Sequence, residues 1–388
     1  MGNKKIITIL LILGVYALSS GISYALFSNN IAAKSVVKPS IPTANKNGGL
    51  AFDNNLPKTE ACPLNGKLYS KQQKQWWEQH RPLGVMIENH EDARPQSGLS
   101  SADVIYEAVA EGSITRFLSI FYCQDVNPIG PVRSARTYFL DFVSEYGDYP
   151  LYTHVGGANT SGPADALSQI EDYGWGSYND LSQFSIGFPT FWRDDSRQGH
   201  PVATEHTMYS TTAKLWDIAK SRGLAQVDKK GQAWDTNFVP YTFKEDVVSS
   251  ERGTAKSLHL EFWPAYKQYA VDWIYDKVNN IYNRNNAGVP HVDKDTGRQL
   301  NAKNIVILYM QERHANDGYE DNAHLLYQTK GTGKAVVYMD GKKIAATWRK
   351  TSRTSRTLLF DTNGNGIKFN RGVIWFEILP TTGVLEEK

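Results

Sequence analysis

PLGVMIENHEDARPQSGLSSADVIYEAVAEGSITRFLSIFY, residues 82–122, holds three apolar runs separated by polar turns, and its reading decides the fold class. Pro82–Glu88 is short and almost wholly apolar, which predicts a buried strand. Asp103–Ala110 and Thr115–Tyr122 predict two more strands, joined by a turn at Glu111-Gly112-Ser113. Downstream the period changes. From Arg136 to Tyr146 the apolar Tyr138, Phe139, Phe142, Val143 and Tyr146 share one helical stripe. Leu151–Val155 predicts a strand and Pro163–Ile170 a helix, proline being suited to a first helical turn. Thr211–Arg222 predicts a helix with a threonine N-cap and a stop at Gly223. Strands alternating with helices imply a layered α/β domain, placed at residues 69–228 with a short lead-in helix over Tyr69–His80.

Beyond Gly223 the chain turns to short strand candidates: His259–Trp263, Tyr269–Tyr275, Lys277–Asn283, Ile305–Gln311, Leu325–Thr329, Ala335–Met339, Lys343–Trp348, Thr357–Phe360 and Val373–Leu379. Turn signals such as Asp340-Gly341 and Asn363-Gly364 separate several of them, so a β-rich second domain is expected over 235–388. The fold class is therefore α+β. A length of 388 residues also exceeds a single typical core. A net charge of +2 argues against a dedicated nucleic-acid binder.

Location is read from the N-terminus. Lys4 and Lys5 precede the uncharged run Ile6–Phe27, which at about 22 residues is long enough to cross a bilayer core of roughly 30 Å. The two lysines keep the short end cytoplasmic, placing everything after Phe27 outside. A cleaved signal peptide is the other reading, since Ser23-Tyr24-Ala25 offers small residues at cleavage spacing. Both readings of residues 1–27 give the same compartment. Residues 28–68, rich in Asn, Ser, Lys, Pro and Gly at the start, are expected to form a flexible linker. In that compartment Cys62 and Cys123 either form one bridge, worth about 3–4 kcal/mol by loop closure, or stand as two thiols.

The charged residues concentrate in loops. Ile129–Arg136 (IGPVRSAR) sets Arg133 and Arg136 three apart before a helix; Arg116 lies upstream and Arg94 falls in the loop Asn89–Pro95. Guanidiniums grouped at strand ends grip carboxylates or phosphates bidentately, and they also brace loops by pairing with internal acids such as Glu88, Glu107 and Glu111. The ligand-binding set is Glu88, Asn89, Arg94, Arg116, Arg133 and Arg136, with His154, Trp192, Arg193 and His200 shaping the pocket. Glu107 and Glu111 share a strand face by parity and are the candidates for acid–base work, without an accompanying nucleophile. His200 and His206 are too far apart for a helical metal pair, and the DTNGNG turn at Asp361–Gly366 has Gly372 where a calcium loop needs glutamate. No metal and no cofactor are expected.

The run from RPLGVMIENHEDARPQSGLSSADVIYEAVAEGSITRFLSIFY to IGPVRSARTYFLDFVSEY resembles the N-terminal domain of the YerB-like lipoprotein family of bacteria. Val271–Tyr275, Asn283-Arg284, His291-x-Asp293, Asn304–Val306 and GTGKAVVYMDGKKIAATWRK at Gly331–Lys350 are similar to its C-terminal domain. The resemblance implies a bacterial cell-envelope protein and no particular reaction. It departs from the family in having no cysteine directly after the apolar leader, so a peptide anchor is expected rather than a lipid. The function expected is recognition of an anionic or glycan cell-envelope component through an arginine-lined site. The alternatives are a cell-wall hydrolase or transferase using Glu107 or Glu111, and a non-catalytic envelope assembly protein. Expected partners are the membrane and a wall polymer or envelope protein.

Overall fold

The computed structural model describes Gly2, Ile7 and residues 14–19, 43–44, 49–254 and 257–388. The chain divides into a unit of Met1–Ile41 and a unit of Pro42–Lys388. In the first, residues 14–19 are helical and exposed. Among the described residues no helix is long and apolar enough to cross a membrane. The anchor expected over Ile6–Phe27 therefore has no support there, and most of that run lies outside the described residues.

In the second unit the strands of the two larger sheets are β1 (Leu83–Glu88), β2 (Val104–Glu111), β3 (Ile114–Phe121), β4 (Leu151–His154), β5 (Asp180–Ser182), β6 (Ser257–Glu261), β7 (Val271–Asp276), β8 (Ile281–Asn286), β9 (Val289–Pro290), β10 (Asn301–Ala302), β11 (Asn304–Met310), β12 (Gly331–Met339), β13 (Lys342–Lys350), β14 (Leu358–Asp361), β15 (Ile374–Pro380) and β16 (Val384–Glu387). The helices are α1 (Lys71–Trp77), α2 (Thr137–Val143), α3 (Ala166–Asp172), α4 (Gly176–Asn179), α5 (Gln183–Ile186) and α6 (Thr212–Ser221). The molecule is α+β, with helices and strands mixed through the chain.

One ten-stranded sheet runs β14-β13-β12-β11-β15-β2-β3-β1-β4-β5. Its strands come from both sides of the boundary expected between 228 and 235. The join is β15 lying parallel to β2, with Ile374 opposite Val104 and Glu377 opposite Glu107. A second sheet, β9-β8-β7-β6-β16 with β10 also on β8, lies wholly in the C-terminal part. Trp273 on β7 reaches Trp375 on β15, ring centroids 5.1 Å apart, so the sheets share one core.

Local chemistry explains the element ends. Thr211 caps α6 by accepting the Lys214 N–H at 3.1 Å, and the helix stops before Gly223, whose φ is +80°. The helix expected from Pro163 begins instead at Ala166, because Asp165 is the residue that caps it, accepting from Ser168 N at 2.9 Å. The strand expected at Lys277 starts only at Ile281: Asp276 Oδ1 accepts the N–H groups of Val278 and Asn279, turning the chain into a β7–β8 hairpin.

The linker expected to run to residue 68 ends sooner. Lys58–Ala61 pairs antiparallel with Leu68–Ser70, and Cys62 is disulfide-bonded to Cys123 with the Cα atoms 6.1 Å apart. That bridge closes a sequence separation of 61 and ties the lead-in to the end of β3. Loop-closure entropy puts the change Cys123→Ser at about 4 kcal/mol destabilising. Urea unfolding should show that loss, and a reducing agent should produce a similar loss in the wild type.

Candidate functional site

Strands β1, β4 and β5 are mutually parallel, so Glu88, His154 and Ser182 stand at the same, carboxyl, end of the sheet. Ligands of open α/β sheets usually bind outside such ends. The loop 129–136 lies here too: Arg133 N donates to Met86 O at 2.9 Å and Ala135 N to Gly156 O at 2.9 Å.

Register brings the first charged cluster together. Glu88 on β1 is opposite Arg116 on β3. Arg133 Nε donates to Glu88 Oε2 at 2.5 Å, and Arg116 Nε stands 4.0 Å from Glu88 Oε1. The backbone N–H groups of Asn89 and His90 donate to the same carboxylate, at 3.1 and 3.2 Å. Burial pushes the Glu88 carboxyl up, but Arg116 and Arg133 outweigh it and hold it below its usual range. Arg136 pairs with Glu111, which also receives Arg116 Nη2 at 3.4 Å. Arg133 keeps 25% of its side chain exposed, whereas Arg116 and Arg136 are buried. The fold brings Glu88, Glu111, Arg116, Arg133 and Arg136 together and uses most of their charge internally.

A second cluster forms around Glu107. Arg284 on β8 donates from Nη2 to Glu107 Oε2 at 2.6 Å, with both side chains at 0% exposure. Thr115 Oγ1 and Asn89 Nδ2 donate to the other oxygen, at 2.7 and 3.3 Å. Arg284 Nη1 donates to His291 Nδ1, so the ring's Nε2–H donates to Gln96 Oε1 at 2.6 Å. Burial, then Arg284 and Arg94, push the His291 pKa well down, which keeps the ring neutral. Arg94 donates to Asn89 Oδ1 at 3.0 Å and to the Gln268 carbonyl at 3.1 Å. Asp293 accepts the Ser100 N–H at 3.1 Å, so the His291-x-Asp293 motif ties the C-terminal part onto the N-terminal loops.

The expectation that Glu107 and Glu111 share a face is corrected. A register shift between Val109 and Glu111 leaves an extra residue on β2 and inverts the parity beyond it. Glu107 consequently bonds Thr115, while Glu111 bonds the next residue, Arg116, on the opposite face. The carboxyl group that does stand beside Glu107 is Glu377, its partner across the β2–β15 ladder. Burial first, and then the Glu107 charge, hold the Glu377 pKa well above the usual range, so it stays protonated, and Trp273 Nε1 donates to it at 2.8 Å.

The remaining candidates fall elsewhere. Trp192 and Arg193 pair with Met208–Tyr209; Lys214 stacks over the Trp192 ring at 4.5 Å, and Arg193 donates to Thr204 O and Thr207 Oγ1. His200 is exposed on the same segment. One ligand atom from each of His90, Asp92 and His206 lies within 4.8 Å of the others. The two imidazoles are nearly parallel, at 14° with centroids 4.7 Å apart, so they stack rather than converge on one point. Arg133 on the adjacent Glu88 adds a charge unfavourable to a cation. Cys62, Asp103 and Cys123 also cluster, but the disulfide occupies both sulfurs.

His154 floors a groove of about 570 Å³ over the ends of β4 and β5. Its Nε2 lies 2.8 Å from Asp180 Oδ1 and its Nδ1 2.6 Å from the Gly156 carbonyl, so acceptors engage both ring nitrogens. Leu167 and Ile170 supply an apolar wall, and Ser168, Ser177, Ser182 and Ser185 supply hydroxyls. Phe184 rims the groove with 78% of its surface exposed, and its ring packs close to Gly156, where a Cβ would meet Cε2 at 3.2 Å. Asp180 and Phe184 went unnoticed in the sequence because DLSQFSI carries no period or motif.

The family model "Protein of unknown function (DUF3048) N-terminal domain" matches residues 67–225, and the corresponding C-terminal domain model matches residues 259–376. The chain is 27% identical over 303 residues to "Putative lipoprotein YerB" of Bacillus subtilis (strain 168), covering 78% of this chain and 82% of that protein. The crystal structure of the YerB protein from Bacillus subtilis superposes with a TM-score of 0.68 at 25% identity, covering 84% of this chain and all of that one.

Two stability measurements check the buried clusters. Arg284→Ala should cost about 3–5 kcal/mol in denaturant unfolding, because Glu107 is left charged without a partner in the interior. For Glu377 the folded pKa is raised, so the native state holds more protons than the unfolded one above the ordinary value of 4.5, and its contribution falls as pH rises. Glu377→Gln should therefore be increasingly more stable than wild type as pH climbs from 4.5.

Proposed function

Since the chain belongs to the DUF3048 family of proteins of unknown function, whose two domain models together span most of it, we propose that it is an envelope-side binding protein taking a glycan segment of the cell envelope in the groove over β4 and β5. The envelope location follows the similarity to a protein named as a lipoprotein. The observation that carries the binding reading is the combination at the groove: an exposed aromatic face at Phe184, an apolar wall, and four serine hydroxyls beside a buried His154–Asp180 pair. Sugar rings present one apolar face and a hydroxyl perimeter, which such a surface matches. Its acidic members Glu171 and Asp180 suit an uncharged stretch of polymer better than an anionic one.

The arginines at 116 and 136 serve as loop braces in this reading, since their charge is met by Glu88 and Glu111. A hydrolase or transferase working through Glu107 or Glu111 would need that carboxylate open to a cavity, whereas Glu107 pairs with Arg284 and Glu111 with Arg136. Phe184 is the residue to test because its exposure leaves the fold independent of it. Phe184→Ala should weaken retention of purified wall polysaccharide by roughly 3- to 10-fold, the worth of one stacking contact. Undiminished retention by a folded variant would rule the groove out as the binding site.

A further inference from the structure

Arg116, Arg133 and Arg136 are paired with internal acids; Arg353 is not. It is half-buried in the loop after β13, and among the described residues no carboxylate pairs with it. Its guanidinium carbon lies 4.0 Å from the Tyr173 ring centroid and 5.8 Å from that of Trp175. Nη1 donates to Ser144 Oγ at 2.7 Å, and that hydroxyl in turn donates to Leu140 O at 2.7 Å, so the fork is held in one orientation. The backbone beneath it is fixed as well. The Arg353 carbonyl accepts from Lys350 Nζ at 2.8 Å, and Lys350 is itself ion-paired to Glu145 in the interior.

Arg353 opens into a polar cavity of about 350 Å³, walled on the far side by the loop carrying Asp228 and Lys230. The two carboxylates in that cavity are already engaged by neutral donors. Asp148 Oδ2 accepts from Gln232 Nε2 and Asn237 Nδ2, and Asp228 Oδ1 accepts the N–H groups of Lys230 and Gln232. Arg81, buried behind, donates to the Asp148 carbonyl at 2.9 Å and adds its charge to that side. In the lining the cations Arg353 and Lys230 match the acids Asp148 and Asp228 in number, and Arg81 adds a further positive charge from behind. A half-buried, oriented fork stacked on aromatic rings, without an acid of its own, is suited to gripping a planar or tetrahedral anion.

We propose that this cavity binds a carboxylate or phosphate group, with the Arg353 fork and the Lys230 ammonium as its contacts. The groove of the preceding reading and this cavity flank the same turn: Gly176 and Ser177 line the one, Tyr173 and Trp175 the other. Resting on that reading, the anionic group belongs to the same polymer whose uncharged part occupies the groove, which makes the ligand an acid-bearing glycan.

The test titrates the full chain with inorganic phosphate, and separately with acetate, at constant ionic strength held by chloride, following calorimetry and thermal unfolding. Saturable binding is expected for at least one anion, and which one binds identifies the group. Arg353→Ala should abolish it; Arg353→Lys, which keeps the charge but not the fork, should weaken it about tenfold or more. Arg298→Ala, at an exposed arginine elsewhere, should leave it unchanged. Equal binding by wild type and Arg353→Ala, or no saturable binding of either anion, overturns the proposal. Phosphate or acetate binding that survives in Phe184→Ala while polymer retention is also unchanged would reject the groove alone and leave the anion site standing.

Discussion

The structure depends on the ion pair between Arg284 and Glu107, which has no access to solvent. Two charges taken out of water at this depth are tolerated only if each has further partners. Glu107 has Thr115 and Asn89; Arg284 has His291 and Asn286 and is enclosed by Phe117, Trp273 and Trp375 at 5.0–5.8 Å from their centroids. Glu377, directly across the ladder, fits beside Glu107 only by staying protonated. The cluster forms where β8 and β15 both meet β2. It ties the two family regions together in the interior.

A second buried lock acts at the far end of α2. Glu145 receives Lys350 at 2.8 Å, with Arg356 3.5 Å away, and the Arg356 guanidinium lies over the rings of Tyr146 and Tyr241. Both locks join an N-terminal acid to a C-terminal base. A single sheet crossing the expected boundary follows, and so does the position of the Arg353 loop, which the second lock holds against the α3–α4 turn. Sites that need side chains from both regions are thereby preorganised, and a groove and a cavity share one wall without a hinge between them.

Much of the fold was legible locally. The runs at 83–88, 104–111 and 114–121 appear as strands because each alternates or saturates in apolar residues between turn formers, and Thr211 and Gly223 bracket α6 as their chemistry requires. The candidate site was legible only as an inventory. Glu88, Arg116, Arg133 and Arg136 do meet, but strand parity misplaced Glu111 because a bulge at Val109 leaves no trace in residue type. Arg353, in a serine- and threonine-rich loop, looked like any surface arginine, since nothing near it in sequence announces Tyr173 and Trp175.

By itself the sequence determined the kinds of element, most of their ends, the family resemblance and the concentration of charge on the loops after β1 and β3. These depend on interactions within about a turn of helix or a hairpin, which a linear chain records directly. The tertiary structure alone decided that two regions share one sheet, that Arg116, Arg133 and Arg136 are neutralised, and that Arg353 is left without an acid. Each of those outcomes turns on which acid lies opposite which base across separations such as 177 residues for Arg284 and Glu107. Desolvation makes such pairings all-or-none, and only the packed chain fixes which of them are made.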